Sequence, residues 1–119
     1  MSSNQLSSEA DVRPALQTLA ERLHKSKRMR KGQVIFRLNG GENVHLECDE
    51  TSVSVRDGMP KRAHGPRAEL IGNGRVLKAI LEGKNDPRVR FLAGGFRVRG
   101  DLRYLSEVAM ELGLLDRPI

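Results

Sequence analysis

Between Val34 and Arg56 apolar residues fall on every second position in three successive runs, separated by tight turns. Val34, Phe36 and Leu38 alternate with Ile35 and Arg37. Val44, Leu46 and Cys48 alternate with His45 and Glu47, and Val53 and Val55 with Ser52, Ser54 and Arg56. A period of two is the signature of a strand with one buried side. Asn39-Gly40-Gly41 and Asp49-Glu50 are too short to join anything but antiparallel neighbours. The segment therefore predicts an antiparallel meander with one buried face and one wet face. Cys48 belongs to the buried face, as a small hydrophobe. His45 belongs to the wet face, where it is expected to be solvated.

On either side of this meander the period changes to that of a helix. Ser8 and Asp11 resemble a capping box opening a helix that carries Val12, Leu16, Leu19, Ala20 and Leu23 on one face. Pro14 is tolerated only in the first turn of such a helix. After the loop at residues 57–66, a short strand is expected over Ala68 to Ile71. Asn73 then caps a helix bearing Val76, Leu77, Ile80 and Leu81, which Gly83 ends. Asp86-Pro87 opens a short turn holding Val89, Phe91 and Leu92. Phe96 and Val98 mark a fifth strand, and Gly100-Asp101 caps a closing helix with Leu102, Leu105, Val108, Ala109 and Leu112 inward. The element order is α-β-β-β-β-α-α-β-α. That order predicts an α+β fold, a five-stranded, mostly antiparallel sheet with helices packed on one face. A length of 119 residues suits one domain. We place that domain at residues 9–115, between a flexible tail at 1–8 and a C-terminal tail at 116–119.

The residues that could do chemistry are scattered. His24, His45 and His64 lie in different elements, with no zinc-type spacing. Cys48 has no recognisable partner base, and the glycine clusters fit turns rather than a phosphate loop. No metal or cofactor is called for, and the chain is expected not to be an enzyme. The formal net charge of +6 favours anionic partners. The densest basic run includes Lys25, Lys27, Arg28, Arg30 and Lys31, a candidate dock for an anionic headgroup or membrane. The same cations would equally suit a helix C-terminus. Arg37, Arg56, Arg97 and Arg99 fall on the wet face of the sheet, but no aromatic alternates outward with them. A nucleic-acid surface is thus disfavoured, because bases lack a stacking platform. The sequence has no apolar run long enough to span a bilayer, no secretory leader in MSSNQLSSEA and no peroxisomal ending. A cytoplasmic location is expected.

The run VIFRLNGGENVHLECDETSVSVRDG, together with RAELIGNGRVLKAILEGKNDPRVRFLAGGFRVRGDLRYLSEVAMELGLL, resembles the sterol carrier protein type 2 family. The shared landmarks are a helix ending at Leu81 to Gly83, Asp86-Pro87, Gly94-Gly95, and a strand ending at Gly100-Asp101 before an amphipathic helix. The resemblance implies an apolar tunnel between sheet and helices, holding a sterol, fatty acyl chain, phospholipid or isoprenoid without chemical turnover. It implies a tunnel wall at Phe36, Leu38, Val44, Leu46, Val55, Leu77, Phe91, Phe96, Leu105, Ala109 and Leu112. The alternative is a protein-interaction or accessory module of the same fold, with a partner protein and no open tunnel.

Overall fold

A computed structural model describes residues 11–25, 30–39, 42–49, 52–62 and 65–117; of residues 23–25 only the backbone is described. Its elements run α1 (Arg13–Lys25), β1 (Gly32–Leu38), β2 (Val44–Cys48), β3 (Val53–Asp57), β4 (Arg67–Gly72), α2 (Gly74–Leu81), α3 (Pro87–Leu92), β5 (Phe96–Gly100) and α4 (Leu102–Glu111). The order is the one the periodicity predicts, and the fold is α+β. Ser8 lies outside the described residues.

The helices begin where short polar side chains can take up free backbone amides. Asp11 accepts from the Arg13 amide at 3.0 Å, and the Arg13 guanidinium holds its carboxyl below the usual range. Asn73 accepts from the Arg75 amide at 2.8 Å. Asp86 accepts from Arg88 at 2.8 Å, with Pro87 in the first turn of α3. Asp101 accepts from Tyr104 at 2.9 Å.

The sheet has the order β3-β2-β1-β4-β5. All neighbours are antiparallel except β1 and β4, which are parallel with Val34 beside Ala68 and Phe36 beside Leu70. Two antiparallel steps make β3 parallel to β1, so β3 and β4 also point the same way. The link between them, described at residues 58–62 and 65–66, must therefore return the length of a strand while passing β2 and β1. The helices occupy one face, so the link takes the other. A carbonyl can only accept, so His45 Nδ1 donates to Gly58 O, at 2.8 Å. Gln33 Nε2 donates to Arg62 O at 2.8 Å and to the Glu47 carboxylate at 2.8 and 3.1 Å, while its Oε1 accepts from Arg67 Nε.

This link corrects the expectation of a fully wet outer face. His45 is on that face, as its register requires, yet is only 4% exposed, and Gln33 and Ile35 are fully buried. Alternation assigned the side correctly; the crossing segment removed the water.

On the inner face, Val34, Phe36, Leu46, Cys48 and Ala68 join apolar residues of α1, α2 and α4 in one core. Tyr104 of α4 is fully buried and lies against Gly32. A Cβ there would fall 2.5 Å from Tyr104 Cζ, so only glycine admits the ring. Its hydroxyl donates to Arg30 O at 2.9 Å. Burial pushes the Tyr104 phenol and the nearby Cys48 thiol above their ordinary pKa values.

Candidate ligand-binding cavity

α1 packs on β3 and β2, and α4 packs on β4. A cavity of about 320 Å³ opens between the helices and the inner face of the sheet, mainly over β1, β4 and β5. Its floor includes the row Phe36, Leu70 and Val98, side by side on β1, β4 and β5. Val34 and Leu46 extend it toward β2. Leu77 and Ile80 of α2, with Leu105, Val108 and Ala109 of α4, form the opposite wall. Leu112, Leu114 and Leu115, in the turn beyond α4, line it further. Arg88 is the one charged residue among the lining residues described. The volume is near the lower end of the roughly 300–1,000 Å³ common for small-molecule sites.

The cavity has an open side. Leu92 is 85% exposed, Leu102 48% and Phe91 44%, yet all three line it, so they form its rim. The Phe91 and Phe96 rings meet at 5.7 Å between centroids, tilted by 55°, which ties α3 to β5. Arg88 Nη2 donates to Arg117 O at 2.6 Å and anchors the same helix to the C-terminal turn. A second, polar depression of about 450 Å³ adjoins it, with Lys84, Asp86, Asp116 and Arg117 on its sides. Ile80, Pro87, Arg88, Leu114 and Leu115 line both.

Of the residues expected in a tunnel wall, Phe36, Leu46, Leu77, Phe91, Phe96, Leu105, Ala109 and Leu112 converge on this cavity. Leu38, Val44 and Val55 do not line it. Val44 and Val55 share its side of the sheet but sit on β2 and β3, where α1 packs directly. Leu38 ends β1 beside Gly72 and is partly buried against the core. Leu102 is a rim residue rather than an inward one, because the helix begins at the mouth. Leu70 was legible, since it follows Ala68 at a period of two. Leu114 and Leu115 were not, because they lie past the last helical turn, where no period runs.

Of the expected anionic dock, Arg30 and Lys31 are described, and neither lines the cavity. Lys27, Arg28 and the Lys25 side chain are outside the described residues. Arg30 is held by Glu107 through two hydrogen bonds, at 2.8 and 3.1 Å, and its guanidinium carbon lies 5.6 Å from the Tyr104 ring centroid. Lys31 is exposed. No group of three or more metal-ligating side chains occurs among the described residues, and no helix among them is long and apolar enough to cross a membrane.

A single sheet, a helical layer and one greasy, rimmed cavity between them define a small-molecule binding domain. The chain belongs to the SCP-2 sterol transfer family, which it matches over residues 4–112. Among solved structures, it is similar to the apo form of sterol carrier protein 2 from Yarrowia lipolytica (TM-score 0.59, 20% identity, covering 87% of this chain and 84% of that one). It is also similar to palmitated SCP2L2 from Aedes aegypti (TM-score 0.59, 13% identity, 82% and 90% covered). A double mutant of the sec-alkylsulfatase PisA1 gives a TM-score of 0.66 at 21% identity, over 86% of this chain and 16% of that one. The chain thus spans about one sixth of that enzyme's length. At these identities the likenesses establish the fold. No curated protein matches the sequence significantly.

Proposed function

We propose that this chain binds an apolar ligand in the cavity between sheet and helices and carries it without chemical change. The observation that carries this reading is the cavity wall: apolar throughout except for Arg88, open at a rim of Phe91, Leu92 and Leu102. Family membership and the palmitated relative support the same class of ligand. Each methylene moved from water into such a wall gains roughly 0.8 kcal/mol, so an acyl chain or isoprenoid needs no polar anchor to be held. The lining residues include no carboxylate, histidine, thiol or hydroxyl, which favours a carrier over a catalyst. The likeness to part of an alkylsulfatase supports a second reading, an accessory module within a larger assembly. The open cavity favours the first.

Native mass spectrometry of the purified protein should show co-purifying lipid, and a fluorescent fatty acid should bind saturably. Ala109→Trp, which fills the cavity from α4, should weaken that binding about tenfold or more, a loss of about 1.4 kcal/mol. Absence of any bound lipid, with Ala109→Trp indistinguishable from the parent, would count against the carrier reading.

A further inference from the structure

α3 is a helix with apolar side chains and no buried residue. Val89 is 60% exposed and Leu92 85%, although both are large enough to contribute to a core. Short helices normally dock such residues inward; here Phe91 alone is tied down, by its contact with Phe96. At the start of α4, Leu102 is also half exposed. Phe91, Leu92 and Leu102 belong to one rim, because all three line the mouth of the same cavity. A patch of this kind, contiguous and apolar, marks an interaction surface.

The charge around the patch says what kind. From Asp86 to Arg103 the chain carries five arginines, Arg88, Arg90, Arg97, Arg99 and Arg103, against two aspartates, Asp86 and Asp101. Both aspartates are turned to helix caps. Arg90 and Arg103 are exposed neighbours of the rim residues, and Arg97 and Arg99 lie on the adjoining β5, on the face opposite the cavity. Apolar side chains at a tip, with the exposed Arg90 and Arg103 beside them in the chain, match an anionic bilayer: the former enter the acyl boundary while the latter meet phosphate oxygens.

We propose that the rim formed by α3 and the start of α4 is a docking surface for an anionic lipid bilayer. This rests on the reading of the cavity as a lipid site and adds where the lipid enters. With the mouth against the membrane, an apolar ligand passes from bilayer to cavity without crossing water. The basic run at Lys25–Lys31 is the competing dock, and the two separate by mutation.

The test uses the full chain and phosphatidylcholine vesicles with and without phosphatidylserine, read by co-sedimentation. Binding is expected to require phosphatidylserine and to weaken as salt rises. Arg90→Glu with Arg103→Glu should lower vesicle affinity about thirtyfold or more, since each cation near an acidic surface is worth about a factor of five. Val89→Asp should lower it as well. None of these three residues lines the cavity, so binding of the fluorescent fatty acid without vesicles should be unchanged. Equal vesicle binding by parent and rim variants, loss only when Lys25, Lys27, Arg28 and Lys31 are replaced by Gln, or capture of a protein partner with no vesicle binding would each overturn the proposal. Failure to bind the fatty acid in solution would strike the carrier reading instead, and vesicle binding is scored separately.

Discussion

The interior of this protein is closed at one end and open at the other. Around α1 and β2 the inward side chains are shut away: Val12 and Cys48 are fully buried, and Val44 is 2% exposed. Around α3 and the start of α4, aliphatic and aromatic residues stand at the surface, with Leu92 at 85%. Residues of one chemical class thus serve two ends. In the first region they exclude water from themselves and stabilise the domain. In the second they border the open side of the cavity.

The sharpest test introduces the same charge into each region. Val44→Asp puts an unpaired carboxylate on the filled side and should cost more than about 4 kcal/mol, enough to unfold a domain of ordinary stability. Chemical denaturation should find it unfolded, or the closed end is less packed than its burial indicates. Gly32→Ala is expected next, at about 1–3 kcal/mol, because the methyl meets the Tyr104 ring. An unchanged denaturation midpoint would show that the ring can move aside.

A pH titration of stability probes the same closed end. Unfolded, Cys48 and Tyr104 ionise at their ordinary values of 9.0 and 10.0, whereas burial keeps both protonated in the fold. The unfolded state then binds fewer protons, so stability falls as pH rises above about 9 and more steeply above 10. Tyr104→Phe should lose about 1 kcal/mol at neutral pH, through the Arg30 carbonyl left without its donor. It should also flatten the decline above pH 10. Leu92→Asp is the smallest expected effect, within about 0.5 kcal/mol, since an exposed side chain forfeits little. A large loss there would close the open end and remove the contrast.

The strands, their inner faces and the helix caps were legible because each depends on neighbours a few residues apart. Asn73, Asp86 and Asp101 sit where their side chains reach an amide two or three positions on. Phe36, Leu46, Leu77 and Ala109 fall on inward positions of period two or 3.6, and the fold brings them to one wall. What periodicity reports is a side, not an occupant. It placed Val44 and Val55 beside Leu46, and could not tell that α1 would fill the space over the first two and leave the third facing a void.

The sequence by itself determined the α+β order, the antiparallel hairpins and the apolar stripes, since hydrophobic spacing and turn chemistry act locally along the chain. Tertiary structure alone decided the parallel pairing of β1 with β4, and with it the placing of Gly58 and Arg62 against the outer face. Contact with that segment is why His45 and Gln33 are buried despite an outward register. Tertiary structure also decided that the helices, packed on β2, β3 and β4, would leave a cavity against β1, β4 and β5. Packing between distant segments depends on volumes and angles that no local pattern records.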